Sequence, residues 1–292
     1  MSYELYFYKR EGTEPSLDAI KSYLSLNLNS KKDEYAEWYF ENPDTEVHFW
    51  LNLVEPLNDS DSNESNEIFD GYENTYVTFT INLIRPDFFG IEAFRFIDKF
   101  INDLNLFVLN PQSSDEPSKV NQGELYTNWS QINSDHSIRF FEEFKLNYLP
   151  LDKSKASWNY NFNRKQLQKK LGEAYFVPRL FYYKQRVNND VITVCTWTNH
   201  IPCLLPPADY YLVFKKYKYF FKTVEEIGFI NSRYLFDRFG NLLNDYDFGN
   251  CKIIHPHKAL KAKKIFNSTK FEHRFKEFAD RTSINTLVNV KP

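Results

Sequence analysis

The sequence predicts an α+β fold: mainly antiparallel sheets with helices packed on their faces, in two similar-sized halves. Three observations predict it. Short runs alternate apolar and polar residues with the period of two that a half-buried strand needs. Other runs repeat apolar residues at the 3.6-residue helical spacing. The two kinds of run interleave along the chain, which suits helices packed on sheets. The composition agrees: 28 Phe, 20 Tyr and 5 Trp make the chain 18% aromatic, and such residues suit a pleated, half-buried surface.

The first strand is SYELYFYK, with Tyr3, Leu5 and Phe7 on one face and Glu4, Tyr6 and Tyr8 on the other. PSLDAIKSYLSL follows as a helix, with Pro15 near its start and Leu17, Ile20, Tyr23 and Leu24 at helical spacing. EVHFWLNLVEP is a strand carrying Val47, Phe49, Leu51 and Leu53 on one face, and NTYVTFTINLI is another. Between them runs DSDSNESNEIFDGYEN, Asp59 to Asn74, with no regular apolar spacing, so it reads as a hairpin loop. IEAFRFIDKFINDLNL is an amphipathic helix through Ile91, Phe94, Ile97, Ile101 and Leu104, and LFVLNPQ a short strand. The order strand, helix, strand, strand, helix, strand is that of a split β-α-β sandwich. Pro111 to Asn121, rich in Ser, Asp, Glu and Pro, marks a boundary between an acidic α+β domain, 1–120, and a basic one, 121–292.

In the second half a helical stretch is expected near Ser137 to Tyr148, and another over Asn163 to Leu171 ending at Gly172. FVPRLFYYKQ and NDVITVCTWTN read as a hairpin turned at Asn188-Asn189-Asp190, and DYYLVFKKYK as a further strand. YFFKTVEEIG and SRYLFDRFGNLL read as helices stopped at Gly228 and Gly240. ALKAKKIFNSTKFEHRFKEFADR closes the chain with a last helical pattern.

Motifs for chemistry are sparse. Eight glycines, scattered singly, build no phosphate-binding loop, and no metalloprotease, nucleophile-elbow or kinase motif occurs. No cofactor is implied. His255 and His257 in HPH lack a third ligand nearby and read as a surface turn. CTWTNHIPC brings Cys195, Cys203 and His200 close in sequence, the arrangement closest to a nucleophile and base. Cys195 alternates with Val191 and Thr193, however, as a small buried hydrophobe would. Glu225 with Glu226, and Asp245 with Asp247, offer candidate acid pairs, and solvated helix faces and turns explain them equally well. Three cysteines without CxxC spacing, no secretory pattern at MSYELYFYKREG and no long apolar run together predict a cytoplasmic protein.

Charge divides the chain. Residues 1–150 hold 27 Asp and Glu against 11 Lys and Arg, a net of −16, and 151–292 hold 12 against 25, a net of +13. Three explanations follow: the halves attract each other, the acidic half meets a basic protein, or the basic half binds nucleic acid. The last draws on FKKYKYFFK, where Lys215, Lys216, Lys218 and Lys222 interleave with aromatics.

SYELYFYK, WYFENPDTEVHFWLNL, INLIRPDFFGIEAFRFIDKFINDLNLFVLNPQ, KSKASWNYNFNRKQLQ, YFVPRLFYYK, TWTNHIPCLLPPADYYLVFKKYK and FKTVEEIG together resemble a family of uncharacterised bacterial cytoplasmic proteins that open Met-Ser-Tyr-acidic-Leu-Tyr-Phe. Related openings occur in proteins similar to immunity partners of secreted bacterial toxins. The resemblance implies a non-catalytic inhibitor and supplies no site residues. With the charge split, it leads to an acidic docking face for a basic toxin domain. Asp59, Asp61, Glu64, Glu67 and Asp70 supply the charge and Tyr72 an anchor. Phe69, Trp38 and Tyr39 are further aromatics of the same half. The alternatives are an enzyme of unfamiliar type near Cys195–Cys203 and a nucleic-acid-binding protein using the basic half.

Overall fold

The computed structural model describes residues 1–30, 37–54 and 69–292. The chain is α+β and divides into two compact units, Met1–Phe141 with Lys291–Pro292, and Glu142–Val290. The division falls 21 residues after the 120/121 boundary expected from the loop composition.

The first unit runs β1 (Ser2–Arg10), α1 (Leu17–Asn27), β2 (Asn29–Ser30), β3 (Trp38–Glu41), β4 (His48–Leu53), β5 (Tyr72–Asn82), α2 (Phe88–Asp103), β6 (Phe107–Leu109) and α3 (Glu124–Arg139). Its sheet has the order β2-β3-β4-β5-β1-β6, with every neighbouring pair antiparallel. The run β4-β5-β1-β6 is the split β-α-β arrangement, and β2–β3 extend one edge. One sheet face is apolar because alternate residues of each strand are: Tyr3, Leu5 and Phe7, then Phe49 and Leu51, then Val77, Phe79 and Ile81, all buried. α2 covers this face with aromatic edges, Phe100 on Phe7 at 5.1 Å and Phe94 on Phe79 at 5.7 Å.

The helix expected near Ser137–Tyr148 lies earlier, as α3. It packs on α2 because Gly90 lacks a side chain: a Cβ there would lie 2.4 Å from the Trp129 ring. Tertiary contact at Trp129 and Asn133 fixes this helix, which has little apolar periodicity of its own.

The second unit runs β7 (Asn147–Tyr148), α4 (Leu151–Leu171), β8 (Leu180–Gln185), β9 (Val191–Thr198), β10 (Cys203–Leu205), β11 (Tyr210–Tyr219), β12 (Lys222–Asn231), α5 (Ser232–Phe239), β13 (Asn244–Asp245), β14 (Lys252–Ile254), α6 (Pro256–Ser268), β15 (His273–Arg274), α7 (Phe275–Phe278), β16 (Ala279–Arg281) and β17 (Leu287–Val288). Its main sheet has the order β15-β12-β11-β9-β8-β16, parallel at β11–β9 and antiparallel elsewhere. One face packs Cys195, Trp197, Tyr211 and Val213 against α4, α5, α6 and the small β10-β14-β13 sheet. The other packs Val194, Leu212 and Phe229 against Phe275 and Phe278.

The hairpin at Asn188-Asn189-Asp190 forms as the sequence predicts, with Asn189 left-handed. α4 ends at Gly172 as expected but begins twelve residues before Asn163. Two further expectations need correction. YFFKTVEEIG is no helix: Tyr219 ends β11, Phe220–Phe221 turn the chain, and Lys222 opens strand β12, paired with β11 from Tyr210↔Asn231 to Tyr219↔Lys222. Pairing with a neighbouring strand overrides the helical look of Val-Glu-Glu-Ile. Gly228 is therefore no helix stop: the Phe271 ring occupies the place of its Cβ, at 2.4 Å. The last helical pattern also breaks at Thr269, and only Pro256–Ser268 and the short Phe275–Phe278 are helical.

Candidate functional site: an acceptor-lined sheet face

The apolar side chains of β1, β4 and β5 point at the helices, so their alternates share the opposite face. Cross-strand register sets them in rows: Tyr39–Trp50–Thr80–Glu4, then Asn52–Thr78–Tyr6. Directly opposed side chains in such rows lie about 4.5–5.5 Å apart. A cavity of about 310 Å³ opens here, lined by Glu4, Tyr6, Asn52, Asn74, Tyr76 and Thr78 among others. The Glu4 carboxylate accepts from Ser2 Oγ at 3.0 Å and from Tyr6 Oη at 3.3 Å. Asn52 Oδ1 is buried and accepts no hydrogen bond among the described residues. Among the described residues the lining includes no Lys, Arg or His.

A bulge shapes the cavity. Tyr6 pairs with Thr78 and Tyr8 with Asn74, so Phe7 faces three residues of β5. Within the bulge Tyr76 is left-handed, at φ 57°. Its N–H donates to Asn74 Oδ1 at 2.7 Å, and Thr75 Oγ1 donates to the Phe7 carbonyl at 2.7 Å. Left-handed non-glycine backbone costs about 1–3 kcal/mol and clusters at functional sites. Bulges re-aim side chains there, and this one turns Tyr76 into the cavity. The arrangement suits a cation with several N–H donors: a carboxylate, an unmatched amide oxygen and aromatic rings.

The six docking residues expected from the sequence are placed unevenly. Asp59, Asp61, Glu64 and Glu67 lie outside the described residues. Asp70 is exposed just before β5. Tyr72 begins β5, and its ring lies under the Arg10 guanidinium at 4.2 Å and against Phe107 at 5.0 Å. Phe69 packs on Tyr8, and Trp38 is buried with Nε1 donating to Ser25. Val54, which follows β4, lines the cavity and immediately precedes 55–68. The alternation of Glu4, Tyr6 and Tyr8 was a signal for this face; the bulge at Tyr76 had none.

The CTWTNHIPC region holds buried thiols. Cys195 and Cys203 are buried in the core of the second unit, and burial pushes both thiols well above their ordinary range. Cys251 is pushed up to about 12 by the same cause. Neutral, desolvated thiols are poor nucleophiles. His200 is held below the usual histidine range by burial and by Lys263. His255 Nδ1 meets Tyr175 Oη at 2.7 Å, and its ring stacks on His257. Among the described residues no three His, Cys, Asp or Glu side chains are placed to hold a metal. Glu225 and Glu226 are consecutive in a strand and face opposite ways; Glu225 pairs with Lys216 at 2.7 Å.

A larger cavity of about 770 Å³ in the second unit is lined by Lys215, Glu226, Phe271, Glu272 and Arg274 among others. Lys215 is buried, donates to the Thr269 carbonyl and stands 4.0 Å over the Phe271 ring. Its ammonium is thus already engaged, and the walls carry both signs of charge. No protein-family model matches the chain, and no curated protein or solved structure matches it. Among the described residues no helix is long and apolar enough to cross a membrane.

Proposed function

We propose that the chain is a non-catalytic binding protein whose acidic first unit docks a basic protein partner, a toxin domain, and neutralises it as an immunity protein does. One observation carries the reading: charge divides along the structural division. The unit of Met1–Phe141 with Lys291–Pro292 holds 25 Asp and Glu against 11 Lys and Arg, whereas Glu142–Val290 holds 14 against 25. A surface of one sign speeds encounter with an oppositely charged partner and selects it. The Glu4 cavity supports the same reading. It offers acceptors to an arginine side chain, whose planar fork of five donors matches several acceptors at once.

The test uses the full chain, tagged, in lysate of its own host at low and high salt. Wild type is expected to retain one basic protein and to lose it at high salt. Charge reversal together at Asp59, Asp61, Glu64, Glu67 and Asp70 should abolish that retention. Equal retention by the reversed chain would remove the acidic segment from the interface, and failure to retain any basic protein would end the reading.

A further inference from the structure

The β11–β12 hairpin is longer than the sheet that holds it. β9 pairs with β11 only from Tyr210 to Phe214, and β15 pairs with β12 only at Gly228 and Phe229. From Lys216 to Glu225 the two strands pair with each other and, among the described residues, with no third strand. At about 3.3 Å per residue the ribbon extends roughly 13–16 Å beyond its last sheet neighbours. Its turn is two residues, Phe220–Phe221.

That turn breaks two local rules. Two-residue hairpin turns with a left-handed first position favour glycine there, yet Phe220 occupies it at φ 54°. Large apolar side chains also normally avoid water, yet Phe220 is 81% exposed and Phe221 fully so. Violations of this kind are expected where function requires them. The flanks are basic. Lys216 and Lys218 share one ribbon face with Thr223 and Glu225, and Lys222 follows the turn on the other. α6 packs on β11 and carries the exposed Lys261, Lys263 and Lys264. Lys215, by contrast, is consumed in the base of the ribbon, and Lys216 is ion-paired with Glu225 at 2.7 Å.

We propose that this arm binds nucleic acid: its lysines track phosphates and Phe220 and Phe221 stack on, or wedge between, bases. A two-stranded ribbon fits a DNA groove. Apolar wedges and stacked aromatics are recurrent devices for contacting bases. A bilayer is the less fitting anionic surface, because the described side chains of the turn offer two large exposed rings, Phe220 and Phe221, a small apolar area to insert.

The experiment is fluorescence anisotropy of the full chain with a labelled 20-nucleotide single strand and the matching duplex, from 50 to 300 mM salt. Saturable binding that weakens with salt is expected. Lys218→Glu with Lys222→Glu should weaken binding and flatten the slope of log K against log salt by about two phosphate contacts. Phe220→Ala with Phe221→Ala should weaken it about tenfold or more with the slope unchanged, since stacking carries no counterion release. Both pairs are exposed, and a melting curve like wild type checks folding. Preference for single strand or duplex tells stacking from groove insertion. Absence of saturable binding at 50 mM salt would overturn the proposal. So would affinities that neither variant pair alters, or binding to phosphatidylserine vesicles without binding to either oligonucleotide.

Discussion

Gly228 shows how one missing methyl group can organise a neighbourhood. The Phe271 ring rests on its α-carbon, and Lys215 in turn rests on that ring. Gly228→Ala must displace Phe271 at its Cβ as well as its ring, so there is little freedom to yield. Such overpacking should destabilise the protein by about 1–3 kcal/mol, measured by urea unfolding. The cysteines give a pH signature. Their folded-state values are raised by burial, so the native state holds these protons more tightly than the unfolded chain. Their contribution is complete below the ordinary thiol value near 9 and is lost as pH rises above it, for Cys251 through about 12. The urea midpoint should therefore fall above about pH 9, and Cys251→Ala should flatten that fall. A midpoint independent of pH between 8 and 10 in wild type would show that these thiols are not desolvated.

Elements in this chain often owe their identity to a neighbour. β12 holds Val224-Glu225-Glu226-Ile227, which looks helical locally, but ten paired positions with β11 make it a strand. α3 stands by Trp129 in the notch at Gly90. Among the described residues no third strand pairs with the outer half of the β11–β12 arm, and a lone two-stranded ribbon is marginally stable. Its turn is also strained at Phe220. Phe220→Gly should relieve the left-handed cost while removing a ring from the tip. The arm amides from Tyr217 to Val224 should then exchange hydrogen more slowly than in wild type, while oligonucleotide affinity drops. Faster exchange would mean that Phe220 packing, not strain, governs the arm.

At the scale of the whole molecule, net charge is a poor guide. The formal −3 is the sum of a strongly acidic unit and a strongly basic one. Each sign has its own device: the acceptor-lined face around Glu4 in the first unit and the lysine-flanked arm in the second. Both proposed interactions weaken with salt, so salt dependence alone does not separate them. The charge reversals do, because each set lies within one unit.

The periodicities by themselves determined the α+β class, the split β-α-β order of the first unit and the burial of Cys195, since a residue's face follows from its place in a strand. The charge partition was equally local information. Only the tertiary structure decided among residues that look alike in sequence. Lys215 and Lys218 stand three apart in one run, but a loop more than fifty residues later closes over the first and leaves the second on the arm. Glu4 and Asn52 line one cavity only because β5 lies between their strands in a particular register. Register is set by long-range pairing and by the bulge at Tyr76, and no local pattern encodes either.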